Sequence, residues 1–305
     1  MVTFRQIGPT GNFYEAPRWH DDAWWVSDFY AHRVLRIDVD GTVSTVVEVE
    51  NQPGGLGWLP DGSMLVVSMK DKSVLRVVDG HASLYADLSS LFGGWANDMW
   101  VTTAGYAYVG NFGFDLFDPD TLTSRTCLAV VSPDGTVRVA ADDLAFPNAC
   151  MVTFDGRELV VNETLAGCHT AFTIAQDGSL HGRRTWARIG NAPADPDHAL
   201  ADLTYGPDGA SFDASGGLWV ADAFGQRFVR LEEGGKITDE IRVPNGLNAF
   251  ACCVGGPTGR TLLMVAAPDF DHTKRSAVRE GVLLVTELDE NYHAEAQGDP
   301  STQGR

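Results

Sequence analysis

A short β-rich run closed by a small residue and an aspartate recurs along this chain together with its surroundings, and such a repeat restricts the architecture more than any single motif does. Trp24-Trp25-Val26-Ser27-Asp28 is followed, after a brief turn, by Arg33-Val34-Leu35-Arg36-Ile37. Leu218-Trp219-Val220-Ala221-Asp222 leads in the same way to Arg227-Phe228-Val229-Arg230-Leu231, and Leu65 to Ser68 leads to Val74-Leu75-Arg76-Val77. Tyr106-Ala107-Tyr108-Val109 and Leu159-Val160-Val161 are further copies of the first run. Traced back by one strand, the units open near Glu15, Gly54, Asn97, Asn148, Asp208 and Phe250, roughly 40 to 60 residues apart. A four-stranded sheet cannot bury both faces alone, whereas six set radially bury each other and leave few edges. The expected fold is all-β, a six-bladed β-propeller, with residues 1–305 as one domain. Two long spacings are assigned to insertions, residues 112–125 inside the third unit and 189–203 before the fifth.

Local signals agree. Asp-Gly pairs at 40–41, 61–62, 79–80, 134–135, 155–156 and 177–178 mark hairpin turns, because both residues tolerate positive φ. No long stretch carries apolar residues at helical spacing. The net charge of −19 repels phosphate backbones and anionic lipid, which argues against nucleic-acid and membrane partners. No apolar run reaches the roughly 18 residues of a membrane-spanning helix, and Met1 to Tyr14 has no secretory pattern. An acidic cytoplasmic protein is expected. The five cysteines are odd in number and form no C-x-x-C. Cys252 and Cys253 are adjacent, so on a strand they face opposite ways, and buried free thiols are the expectation.

In a propeller the innermost strands line a central channel, so the six unit starts face one another at one mouth. Read as a ring, they supply two carboxylates, Glu15 and Asp208, and two amides, Asn97 and Asn148. Any one of these alone is an ordinary turn residue. At equivalent positions of one ring they form an oxygen-rich set suited to a hard divalent cation, Ca²⁺ first, with Mg²⁺, Mn²⁺ or Zn²⁺ as alternatives. Facing carboxylates also need a counter-charge.

With these residues in view the chain resembles the regucalcin/gluconolactonase (senescence marker protein-type) family of six-bladed propellers, over about residues 13 to 290. The likeness is carried by Tyr14-Glu15-Ala16-Pro17-Arg18-Trp19, Ala96-Asn97-Asp98, Phe146-Pro147-Asn148, Pro207-Asp208-Gly209 and Cys252-Cys253-Val254-Gly255-Gly256. The resemblance implies that Glu15, Asn148 and Asp208 hold one catalytic divalent cation and that Asn97 contacts substrate beside it.

Two departures bear on specificity. Sugar lactonases of that family often carry arginine two residues before the substrate-contacting asparagine; here the position is Trp95. The Asn-Gly usual at the central ligand is Asn148-Ala149. Trp95 is a candidate substrate-binding residue, and Trp19, Trp100, Phe112 and Phe114, near channel-side loops, are candidates to line the same pocket, although each is also a natural blade-packing residue. His20 and His169 have structural readings, Asp28 and Asp222 read as turn or blade-bridging acceptors, and Glu163 is held as a supporting candidate.

The expected chemistry is divalent-metal-dependent hydrolysis of a lactone or related ester, a metal-activated water attacking a metal-polarised carbonyl. Asp208 would be both ligand and general base, with Asp98 or Glu163 as competing bases, and Asn97 would donate N–H to the developing oxyanion. The partner is then a small-molecule lactone or ester; the oligomeric state is left open. Alternatives from other classes are a non-catalytic metal-binding propeller scaffold, or a phosphotriesterase or lyase using the same site.

Overall fold

The structure is a computed structural model that describes residues 3–118, 120–190, 203–244 and 246–289. Six four-stranded antiparallel sheets form the blades of a β-propeller. Their inner strands are Tyr14–His20, Pro53–Trp58, Ala96–Val101, Pro147–Val152, Pro207–Phe212 and Asn248–Gly255. All six repeat starts read from the sequence fall on these strands. Blades one to five each use four consecutive strands, but the sixth takes its outer strand from the other end of the chain. Arg5–Gly11 pairs antiparallel with Gly281–Glu287, Arg5 opposite Val285, and this pairing closes the ring.

Each blade is sandwiched between two others, so its middle strands are buried on both faces and read as continuous apolar runs rather than alternating ones. Met64–Ser68 and Leu218–Asp222 are buried at every residue. The outer strands Val43–Glu48 and His81–Asp87 are largely exposed and more polar. The core is divided into clusters between blades. Trp19 and Trp24 pack with Cys253, Leu263 and Val285 between the first and sixth blades. Cys252 packs with Trp219, Phe228 and Leu262 between the fifth and sixth. The two adjacent cysteines therefore do face opposite ways, and the thiols are unpaired. Inner strands also pass very close together: a Cβ on Gly55 would lie 2.2 Å from the Met99 nitrogen, so only glycine fits there.

Two features shape the mouth. First, every inner strand has a register shift at its start, at Glu15/Arg18, Pro53/Leu56, Ala96/Met99, Pro147/Cys150, Pro207/Ala210 and Ala249/Ala251. A bulge of this kind re-aims side chains that a regular pleat would turn into the blade. Second, the links between the second and third strands rim the mouth. Four are tight turns, at 29–32, 69–72, 164–167 and 223–226, while 112–125 and 268–280 are long. The long pair belongs to blades three and six, which stand opposite in the ring. The insertion expected at 112–125 is thus a rim arm; of the one expected at 189–203, residues 191–202 lie outside the described residues. The arm of blade six carries the helix His272–Ala277, whose first turn is capped by Asp271, a carboxylate accepting from the Thr273 and Lys274 N–H groups. No helix among the described residues is long and apolar enough to cross a membrane.

Candidate active site

The bulged strand starts bring Glu15, Asn97, Asp98, Asn148 and Asp208 together at one end of the channel. Asn97 donates from Nδ2 to Oδ1 of Asn148 at 3.1 Å. Asn148 in turn hydrogen-bonds Asp208 and donates from Nδ2 to the Thr164 hydroxyl at 3.2 Å. Three carboxylates share this space with one cation, Arg18, whose Nη2 is 2.7 Å from Asp98 Oδ1.

Their titration follows from that crowding. Burial, and after it the charge of Asp208, holds the Glu15 carboxyl well above its ordinary range. Burial pushes Asp208 up to about 8, and the charge of Asp98 adds to this; the hydrogen bonds from Asn148 and the Gly209 N–H act in the opposite direction. In both groups the charged form lacks compensation. The donors are all oxygen, two carboxylates and one amide, the chemistry of a hard divalent cation. Among the described residues no three His, Cys, Asp or Glu side chains gather into a metal site. The candidate set has only two carboxylates, the charge of one acting on the other, with an amide as its third member. Unbalanced negative charge and an oxygen-only donor set fit the cation that the sequence suggested.

Around these polar groups the rim is aromatic. Trp95 lies 6.5 Å from Phe112 and 4.9 Å from Phe117, ring centre to ring centre. Phe112 and Phe114 both contact Phe146, at 5.0 and 6.2 Å. On the other side Phe13 contacts Phe250 at 4.8 Å. A cation stands at this wall, Lys70 Nζ, 5.2 Å from the centre of the Trp95 ring. The two long arms meet: Phe117 of blade three lies 4.7 Å from His272 of blade six. They roof the mouth.

Trp100 does not belong with this group, contrary to expectation. It follows Asn97 by three residues along an inner strand that rises about 3.3 Å per residue, so it lies deeper in the channel wall. There it packs among the apolar residues between blades and faces the Arg18 guanidinium at 5.9 Å. Trp19 is likewise packing, with Trp24 at 4.8 Å. Glu163 faces away from the site as well. Its Oε2 accepts from the Ala145 N–H at 2.8 Å and its Oε1 from Thr170, the backbone-bridging role that Asp28 plays towards Asn12 and Phe13. Asp222 does the same for Gly206 and Gly225.

Sequence reasoning missed three contributors. Arg18 was legible only as part of a run; its burial gives it weight. Thr164 sits in a tight turn and carried no signal. The third is a fully buried chain in which His169 Nδ1 meets Asn162 Oδ1 at 2.6 Å and Nε2 meets the Tyr205 hydroxyl at 2.7 Å. Asn162 Nδ2 then donates to the Asp208 carbonyl at 2.6 Å. Burial holds His169 down to about 3, so it is neutral and accepts through one nitrogen.

A model of the SMP-30/gluconolactonase/LRE-like region matches residues 13–268. A pentonolactonase from Haloferax volcanii is 25% identical over 273 residues, covering 88% of this chain and 86% of that protein. A 6-deoxy-6-sulfogluconolactonase from Pseudomonas putida is 25% identical over 260 residues, 83% of this chain and 82% of that protein. Among solved structures, a luciferin-regenerating enzyme superposes with a TM-score of 0.78 at 15% identity, covering 97% of this chain and 98% of that one, a likeness of fold.

Proposed function

We propose a function on one premise: this chain belongs to the SMP-30/gluconolactonase/LRE-like family. It hydrolyses the ester bond of a lactone or a closely related ester, with Glu15, Asn148 and Asp208 as ligands of one divalent cation, Ca²⁺ first. The observation that carries this reading is a pair of half-buried carboxylates, the charge of Asp208 acting on Glu15 and both held above their ordinary range, beside an amide oxygen. Lactonase relatives at matched length support the reaction class.

A divalent cation in this position would polarise a carbonyl oxygen and acidify a coordinated water. The chain's own groups divide the remaining work. One N–H of Asn97 is committed to Asn148, and the other is left to donate to the carbonyl oxygen as it gains negative charge, which a carboxylate in its place could not do. Asp208 takes the proton of the attacking water. The water oxygen bonds to the carbonyl carbon, the ring C–O bond breaks, and the leaving oxygen takes up a proton, giving the open hydroxy acid. Asp98 is committed elsewhere, since its Oδ1 accepts from both Arg18 and the Met99 N–H. The aromatic rim of Trp95, Phe112 and Phe114 supplies the apolar part of the binding surface.

The test is hydrolysis of γ-, δ- and aromatic lactones by chelator-treated protein, with and without added Ca²⁺, Mg²⁺, Mn²⁺ or Zn²⁺. Restoration by one of these cations in the unaltered protein, and loss of bound metal in Asp208→Ala, are expected. Turnover that chelation leaves unchanged, or full metal retention by Asp208→Ala, would defeat the reading.

A further inference from the structure

The amide of Asn148 has two ends of opposite character, and only its oxygen can ligate a cation. What decides which end faces the site is visible one residue away. The Thr164 hydroxyl has a single proton, and it donates that proton to the Pro207 carbonyl at 2.8 Å. A carbonyl can only accept, so the direction of this bond is fixed. With its proton spent, Thr164 Oγ1 can offer Asn148 only a lone pair, and the group found 3.2 Å away is the Nδ2 donor. Turning the amide over would set Asn148 Oδ1 against an oxygen with no proton left to give. Oδ1 must therefore lie on the far side, where Asn97 Nδ2 donates to it at 3.1 Å. These four groups run in one direction, Asn97 to Asn148 to Thr164 to Pro207, the second hydrogen of Asn148 Nδ2 goes to Asp208, which only strengthens the same orientation, and Thr164 and both asparagines are buried.

We propose that Thr164 is a positioning residue: it holds Asn148 with Oδ1 turned away from Thr164, one lone pair on Asn97 and the other left for the cation, and, through Asn148, holds Asn97 with a donor toward substrate. The proposal rests on the ligand assignment made above. Pro207 directly precedes Asp208, so the same hydroxyl also ties the turn of blade four to the strand that carries the second carboxylate.

The experiment is calorimetric titration of Ca²⁺ into chelator-treated protein, with thermal melting of the cation-free forms as a control for folding. Thr164→Val keeps the shape and removes the hydroxyl; it is expected to weaken the cation dissociation constant by at least about tenfold, the range seen when a ligand loses its supporting hydrogen bond. Thr164→Ser keeps the relay and should stay within about threefold of the unaltered protein. Asn148→Asp separates orientation from mere structure, because a carboxylate presents oxygen whichever way it turns. In that background Thr164→Val should change affinity by less than about threefold. Unaltered affinity in Thr164→Val overturns the proposal, and so does an equal loss in the Asn148→Asp background. If Thr164→Val does not fold, the comparison passes to Thr164→Ser and Thr164→Ala, with the same two criteria. Unaltered protein that binds none of Ca²⁺, Mg²⁺, Mn²⁺ or Zn²⁺ overturns the ligand assignment itself, an outcome distinct from the others.

Discussion

Arg18 of the first blade reaches past the second to Asp98 of the third, Nη2 to Oδ1 at 2.7 Å, with Nε on the Leu56 carbonyl and Nη2 also on the Met99 carbonyl. One side chain thus stitches three inner strands beside the candidate site. Removing the cation alone strands Asp98 close to Glu15 and Asp208. Arg18→Met is expected to cost about 3–5 kcal/mol, the range for breaking a buried pair from one side. Adding Asp98→Asn should recover a large part of that loss, as read from urea unfolding midpoints.

A second expectation links acidity to the cation. A carboxyl whose pKa is raised on folding contributes stability that is fully present below its unfolded value and is lost as pH rises to the folded one. For Asp208 that window runs from the ordinary carboxyl value of 3.8 to about 8. His169 acts in the opposite sense, but only below its ordinary 6.5, since its folded value is lowered. Between pH 6.5 and 8, then, the carboxylates dominate. Cation-free protein should lose stability over that interval, by about 2 kcal/mol at 1.4 kcal/mol per pH unit for one group. Saturating Ca²⁺ should abolish the slope. Chemical unfolding at the two pH values, with chelator and with Ca²⁺, is the measurement.

Substrate polarity is the third. The Trp95 ring, flanked by Phe112 and Phe117, offers a broad apolar face where a second cation would favour hydroxyl groups. One or two extra buried methylenes, at about 0.8 kcal/mol each, correspond to roughly tenfold. An alkyl-substituted lactone should therefore exceed gluconolactone in kcat/KM by about tenfold, and Trp95→Arg should narrow that difference. Equal preference in the unaltered protein would return Trp95 to a purely packing role.

The roof gives the fourth. Phe117 and His272 meet over the mouth from opposite blades, so Phe117→Ala should admit bulkier acyl groups. Its kcat/KM for a bicyclic or long-chain lactone should rise relative to a small γ-lactone by about tenfold, while values for the small one change little. A constant ratio across the series would show that the arms do not limit size.

Blade count and inner strands were legible because the repeat is written in apolar runs that must be buried on both faces, as in Leu65-Val66-Val67 and Leu159-Val160-Val161. The equivalent placing of Glu15, Asn97, Asn148 and Asp208 at the starts of inner strands was legible for the same reason, from their positions in the repeat. Trp100 misled because counting along a strand gives the face of a residue but not its depth below the mouth. Glu163 misled because a carboxylate committed to a backbone N–H and a hydroxyl looks, in sequence, like one that is free. Thr164 and the Asn162–His169–Tyr205 chain could not be read at all, since their meaning lies in contacts between separate blades. The meeting of Phe117 with His272 depends on two arms of different blades having matching reach, which no local pattern encodes.

The outer strand of the sixth blade is the first strand of the chain, and this imposes an order in time on assembly. Of the described strands, Arg5–Gly11 is synthesised first and its partner Gly281–Glu287 last. Until then the growing protein carries an unpaired edge at each end of an open arc, the state most exposed to wrong pairing. Glu15 and Asp208 are also held to their final separation only when the arc shuts. The slowest step of refolding should therefore be this last long-range pairing, whose loop spans nearly the whole polypeptide. Moving residues 3–11 to follow residue 289 would turn it into a local hairpin, and the ring would then close as fast as its blades form.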